Sequence, residues 1–208
     1  MDARASHDWL DELSELLRIP SVSADPAHAS DVLAAGAWVR DFILSAPGAS
    51  AQLVDWHGQP LVIGEIPASR DPQAAPTVLA YGHFDVQPPA PLELWESDPF
   101  EPTIRGADLY CRGIADDKGQ LYLLLRAARD LAREGALPVN VRFACDGEEE
   151  VGGHSIVEWI GEDTRGADAA VIFDSGMIAE EVWAFDVATR GLVYFHVELE
   201  SGDRDLHS

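Results

Sequence analysis

Apolar residues recur at helical spacing in four segments of the chain. Near the N-terminus they follow Ser6, a residue suited to cap a helix, and the set consists of Trp9, Leu10, Leu13, Leu16 and Leu17. The same spacing predicts helices over residues 30–44, 116–134 and 153–160. The longest of them carries an apolar stripe of Leu121, Leu124, Leu125, Ala128 and Leu131.

Short apolar runs bounded by Gly, Pro or Asp lie between these helices and predict strands. They cover residues 52–56, 61–66, 77–81, 139–145 and 169–173. Strands that alternate with helices are typical of an α/β fold. We therefore predict an open, mostly parallel mixed sheet with helices on both faces.

Residues 192–200 follow a different pattern, in which mostly apolar and mostly polar positions alternate. Strict alternation is typical of an antiparallel strand with one exposed face. We place a domain boundary within residues 187–190, which gives one domain over residues 1–188 and the first strand of another over residues 189–208.

The chain is strongly acidic, with 14 Lys and Arg residues against 37 Asp and Glu residues and a formal net charge of -23. Such a field repels nucleic acid and anionic membranes, so neither is an expected partner. Cys111 and Cys145 form no CxxC motif, which favours a reducing compartment. Because no signal peptide pattern or membrane span is recognisable, we expect a cytoplasmic protein.

Acidic residues and one histidine cluster at predicted strand ends and at one helix start. The clusters are His83 with Asp85, Asp116 with Asp117, the acidic run 148–150, and Asp174. Each alone has a structural interpretation: a hydrogen-bonded histidine, a helix cap or a solvated loop. Together they predict a metal site at one edge of the sheet, where zinc, manganese or cobalt would suit the donors.

Five segments, in the same order, resemble the dinuclear zinc metallopeptidase family. They read YGHFDVQP, WESDPFEP, LYCRGIADDKGQ, GEEEVGG and RDLHS. That family includes cytosolic non-specific dipeptidase, carnosinase, aminoacylase, glutamate carboxypeptidase and succinyl-diaminopimelate desuccinylase, and the dipeptidase branch is the most similar. The resemblance implies that residues 1–188 are the N-terminal part of the catalytic domain and that residues 189–208 begin a lid and dimerisation domain.

The resemblance assigns four residues to a pair of zinc ions. His83 and Asp174 would bind one zinc ion, Asp116 would bridge both, and Glu150 would bind the other. A cis peptide bond between Asp116 and Asp117 is also implied.

The resemblance implies catalytic roles for three further residues. Asp85 would orient the ring of His83, and Glu149 would act as the general base. We prefer Glu149 and Glu150 over Glu148 and Glu149 because the family pattern reads Glu-Glu-x-Gly. His207 would reach across a homodimer and polarise the scissile carbonyl of a short peptide in the partner's active site.

Two departures from the family pattern affect the expected activity. Cys111 occupies a position that is usually glycine, and we expect it to change local packing more than chemistry. A last histidine ligand is expected beyond Ser208, so we predict that this chain is truncated and has little activity. The alternatives are an N-acyl amino acid deacylase or carboxypeptidase of the same family, or a non-catalytic fragment that binds metal or a partner.

Overall fold

The structure is a computed structural model that describes residues 8–179, 181–182, 184–186, 188, 191 and 193–199. Contacts divide the chain into two compact units, Met1–Ser175 and Gly176–Ser208. The domain boundary at residue 188 stays a prediction, and the proposed helix cap Ser6 lies outside the described residues.

Four helices form close to their predicted positions. They are α1 (Asp8–Leu17), α2 (Ala29–Leu44), α3 (Lys118–Arg133) and α4 (Ser155–Glu162). In α2 the buried side chains include Val32, Val39 and Ile43, which recur at helical spacing.

The five predicted strands of the α/β fold form one sheet. They are β1 (Ser50–Trp56), β2 (Gln59–Ile66), β3 (Thr77–His83), β6 (Asn140–Asp146) and β7 (Ala169–Ile172), in the order β1-β2-β6-β3-β7. β2 pairs antiparallel with β1 and β6, whereas β3 pairs parallel with β6 and β7. This confirms a mixed sheet. A separate hairpin of β4 (Thr103–Arg105) and β5 (Asp108–Tyr110) was not predicted.

Helices cover both faces of the sheet, as predicted. Val62 and Phe143 face the large cluster formed with α1, α2 and α3, while the neighbouring Leu61 and Ala144 face a smaller cluster with Ile156 of α4. Because side chains alternate along a strand, β2 and β6 bury both of their faces. Each fully buried aliphatic side chain contributes roughly 1.5–3 kcal/mol, so these two strands form the centre of the core.

A buried lysine fixes the start of α3, next to the predicted site. Lys118 is fully buried, and its Nζ donates to the carbonyls of Leu16 at 3.1 Å and Ile19 at 2.6 Å. Further along α3, the Arg129 guanidinium donates to both carboxylate oxygens of Glu12. Both contacts tie α3 to α1 and its C-terminal end and so hold the loop before α3 in place.

The strand predicted over residues 192–200 is not formed by the described residues 193–199. A strand requires a hydrogen-bonded neighbour, and the apolar side chains of Val193, Phe195 and Val197 are exposed instead.

Cys111 and Cys145 are both buried and free. None of the described helices has the length and apolar character needed to cross a bilayer. The cytoplasmic location stays a prediction.

Candidate metal centre

The parallel strands β3, β6 and β7 bring the acidic clusters to one edge of the sheet. His83 is the last residue of β3 and lies in register with Asp146, the last residue of β6. The next amide, Phe84 N–H, donates to the Asp146 carbonyl at 2.8 Å. After β6 the chain enters the turn of residues 148–150, here called the glutamate turn, and after β7 it leads to Asp174. This is the arrangement expected for a site at the carboxyl ends of parallel strands.

The two ring nitrogens of His83 have different neighbours. The ring is fully buried; its Nδ1 lies 3.2 Å from Asp85 Oδ1 and its Nε2 lies 3.1 Å from Asp116 Oδ1. Nδ1 also lies 3.2 Å from the Asp85 backbone carbonyl oxygen, so Asp85 keeps a proton on Nδ1, and Nε2 is the nitrogen that would bind a metal after losing its own proton. Asp174 Oδ2 lies 3.8 Å from the same Nε2.

Asp85 connects the histidine to the glutamate turn. Its carboxylate is buried and accepts the backbone N–H of Glu149 at 3.3 Å and that of Glu150 at 3.1 Å. One carboxylate therefore holds the imidazole of His83 and the backbone of the two glutamates.

Asp116 and Asp117 lie in the loop before α3, and the peptide bond between them is cis, as the family resemblance implied. The Asp116 side chain is 58% exposed, whereas Asp117 is buried and its Oδ2 accepts the backbone N–H of His83 at 3.0 Å. A Cβ atom at Gly82 would lie 2.8 Å from that Oδ2, so a larger residue there would displace Asp117. Asp117 occupies the N-cap position of α3, as the sequence allowed, but its side chain makes no capping hydrogen bond.

The side chains of the three consecutive glutamates lie in different surroundings. Glu148 is 7% exposed, and its Oε1 accepts the backbone N–H of Ser155 at 2.9 Å and the Ser155 hydroxyl. A Cβ atom at Gly153 would overlap this carboxylate. Glu148 therefore holds the start of α4, and Glu149 and Glu150 are the half-buried members of the run.

One group of donor atoms is compact enough for a metal ion. A donor atom from each of His83, Asp116 and Glu150 lies within 4.8 Å of the other two. Ligands of one tetrahedral zinc ion, each about 2.1 Å from it, lie about 3.4 Å apart. The separation between His83 Nε2 and Asp116 Oδ1 is close to that value, and one imidazole with two carboxylates is a donor set that suits zinc.

Comparison with known proteins places the chain in a family. The model of peptidase family M20/M25/M40 matches residues 79–201, more than half of the 208-residue chain. The chain belongs to this family. The matched region contains His83, Asp116, Glu150 and Asp174, so the candidate metal centre lies inside the family domain.

Named members of the M20/M25/M40 family match the chain over most of its length. Beta-Ala-His dipeptidase of Rattus norvegicus is 35% identical over 72% of this chain and 31% of its own length. Cys-Gly metallodipeptidase dug1 of Schizosaccharomyces pombe is 31% identical over 97% of this chain and 45% of its own length. The crystal structure of human carnosine dipeptidase 1 superposes with a TM-score of 0.74 at 30% identity, covering 82% of this chain and 39% of that chain. The chain thus spans less than half the length of these relatives.

Electrostatics favour a cation at this centre of the M20/M25/M40 domain. Burial lowers the pKa of His83, but the hydrogen bond and charge of Asp85 and the charges of Asp117 and Asp174 outweigh it and raise that pKa to about 10. Burial raises the pKa of Asp117 to about 8, and burial with nearby carboxylates raises the pKa of Glu149. The charges of Asp174 and Asp116 disfavour the ionisation of both groups, and a divalent cation would relieve that repulsion.

The sequence predicts a role for two of three further residues. His207 lies outside the described residues, so its role across a dimer stays a prediction. Cys111 donates its thiol to the Pro99 carbonyl at 3.2 Å and is buried, which agrees with a packing role. Gln87, which contacts Glu150, was not singled out, because no spacing rule connects residues 63 positions apart.

Proposed function

We propose that this chain carries the metal-binding part of an enzyme that hydrolyses the amide bond of dipeptides or similar short peptides. The observation that carries the proposal is the group formed by His83, Asp116 and Glu150, whose donor atoms lie within 4.8 Å of one another. The dipeptidase names of the relatives support this substrate class.

The residues of the centre fit the roles that such a reaction needs. His83, Asp116, Glu150 and Asp174 would hold zinc, with two ions in the complete active site. Bound zinc supplies a Lewis acid that polarises the scissile carbonyl and makes a water molecule more acidic. Manganese or cobalt would suit the same donors.

Glu149 would move the proton in this reaction. Burial and the charges of Asp174, Asp85 and Asp116 raise its pKa, although His83 opposes them. A base whose pKa lies nearer to neutrality accepts a proton from the attacking water and returns it to the leaving amine more readily. Asp85 contacts both the Glu149 backbone and the His83 ring. It would therefore hold the general base Glu149 at a fixed distance from the metal ligand His83.

The described residues bring together only one such three-residue group. Since two zinc ions need further ligands, we expect this chain alone to have little activity. In the whole protein, His207 of a partner subunit in a homodimer would complete the oxyanion contacts.

Metal binding tests the centre directly. Titration of the metal-free chain with Zn²⁺, in competition with a chromophoric chelator, is expected to reveal a site that His83→Ala weakens at least 100-fold. His57→Ala is the matched control, because His57 is exposed in the turn between β1 and β2. Equal affinities for the two variants would overturn the proposed centre.

Substrate choice is tested on the whole protein. Release of free amino acids from Ala-Gly is expected to be faster than release from N-acetylalanine, and Glu149→Gln is expected to slow the former by at least 100-fold, as loss of a general base does. Faster turnover of the N-acetyl compound would instead favour a deacylase.

A further inference from the structure

Gln87 makes three contacts with Glu150. Its backbone N–H donates to Oε1 at 3.1 Å, and its side-chain Nε2 donates to Oε2 at 2.7 Å and to the Glu150 carbonyl at 3.1 Å. The two residues are 63 positions apart, so these bonds form only when the end of β3 and the glutamate turn meet.

We propose that Gln87 is a positioning residue that sets the orientation of the Glu150 carboxylate for a divalent metal ion. This inference rests on the proposed function, since it takes Glu150 as a ligand. It assigns to the glutamine of the DVQP segment a role that its place in the sequence does not indicate.

The hydrogen bonds from Gln87 leave the carboxylate able to bind a cation. Each oxygen of an ionised carboxylate has two lone pairs, and Gln87 uses one on each oxygen. The remaining lone pairs stay available on the group that lies near His83 and Asp116. Both N–H donors of the Gln87 amide are directed at residue 150, so the glutamine fixes that residue from two directions.

A single segment of chain thereby controls all the polar groups of Glu150. Asp85 accepts its backbone N–H at 3.1 Å, while Gln87 binds its carbonyl and its carboxylate. The same segment contains His83, a member of the same donor group. Two of the three donor groups are therefore positioned relative to each other by residues 83–87, before any cation arrives.

This arrangement differs from one that serves folding alone. Gln87 is exposed, and exposed hydrogen bonds are readily replaced by water when the side chain is removed. Removing it should leave the fold intact and release the carboxylate of Glu150. Replacing a residue that hydrogen-bonds to a metal ligand typically lowers metal affinity 10- to 100-fold.

Gln87→Met tests the proposal, because methionine keeps the length of the side chain and the backbone N–H. It removes both hydrogen bonds that the side-chain amide donates to Glu150. The matched control is Gln73→Met, at an exposed glutamine in the loop between β2 and β3. Zn²⁺ affinity is measured by competition with a chromophoric chelator, and the melting temperature of each metal-free chain is measured in parallel. We expect Gln87→Met to bind Zn²⁺ about 10-fold or more weakly than the unaltered chain, with an unchanged melting temperature, and Gln73→Met to change neither.

The outcomes separate this inference from the proposed function. If the unaltered chain and Gln87→Met bind Zn²⁺ equally while His83→Ala binds weakly, the proposed function stands and the role of Gln87 is wrong. If Gln87→Met clearly lowers the melting temperature of the metal-free chain, the residue is structural and the inference fails. If the unaltered chain binds no Zn²⁺, both proposals fall together.

Discussion

Replacing Asp85 by asparagine tests whether one buried carboxylate holds the candidate centre together. The side chain is fully buried and accepts the N–H of Glu149 at 3.3 Å and that of Glu150 at 3.1 Å. Its Oδ1 also lies 3.2 Å from His83 Nδ1, which has the Asp85 backbone carbonyl at the same distance. Asparagine keeps the shape but presents an NH₂ group toward at least one of these donors. It also removes the negative charge opposite the imidazole.

The expected cost follows from these contacts. A hydrogen bond to a charged group contributes about 1.5–3 kcal/mol, and the long distances here place each bond at the low end of that range. Loss of one such bond, together with the charge that strengthens the remaining contacts, would cost about 3 kcal/mol, similar to removing one partner of a buried ion pair. Relief of repulsion from neighbouring carboxylates offsets part of it, so we expect a net loss of about 2–3 kcal/mol at pH 7.

Urea unfolding followed by tryptophan fluorescence measures this loss, with metal removed by a chelator. Asp98→Asn is the matched control, since Asp98 is exposed and its Oδ1 accepts the Phe100 N–H at 2.9 Å, a bond that asparagine also makes. We expect the control to change the unfolding free energy by less than about 0.5 kcal/mol.

An independent readout concerns the imidazole itself. Asp85 is the main group that raises the pKa of His83 to about 10, so in Asp85→Asn that pKa is expected to fall toward its ordinary value. Titration of the His83 ring by NMR measures it. If the pKa is unchanged and the variant is as stable as Asp98→Asn, Asp85 does not hold His83 as described.

Glu148→Ala is expected to cost about 2 kcal/mol, because the Ser155 N–H and hydroxyl lose a buried acceptor, whereas Glu149→Ala should change stability by less than about 0.5 kcal/mol. Urea unfolding compares the two, and equal losses would contradict the different roles assigned to them. Burial raises the pKa of Asp146 from 3.8 to about 6, so its favourable contribution is complete below about pH 4 and is lost as the pH rises through about 6. From pH 4 to pH 7, the unfolding free energy of Asp146→Asn should therefore rise by roughly 2 kcal/mol relative to that of the unaltered chain. A difference independent of pH would contradict the raised pKa of Asp146.

The sequence predicted the main helices and strands because their apolar periodicity reflects burial directly. β3 was predicted to end at Tyr81, yet its pairing continues to His83, since backbone hydrogen bonds do not depend on the side chain being apolar. The three-residue strands β4 and β5 are too short to show a period. The antiparallel pairing of β2 with β6 has the same buried pattern as a parallel pairing, so the sequence did not reveal its direction.

Prediction of the candidate centre had a different limit. The chemistry of the clusters was visible in the residue types, and the family resemblance supplied a specific role for each. The surroundings of individual residues were not visible, because they depend on contacts between distant segments. Glu148 contacts Ser155 through a turn, and Gln87 contacts Glu150 across 63 positions. Three identical side chains in one run therefore acquire different surroundings only in the folded chain.

Backbone amides hold many of the carboxylates around the centre. The Asp85, Asp117, Asp146 and Glu148 side chains each accept at least one N–H from the main chain. A neutral donor fixes the position of a carboxylate without supplying a positive charge, so a cation still gains from binding beside carboxylates such as Asp117, whose pKa is raised to about 8. A cation that binds there meets groups that are already placed, and the repulsion between them favours its binding. We therefore expect the fold to form without metal, and metal to add to its stability by mass action.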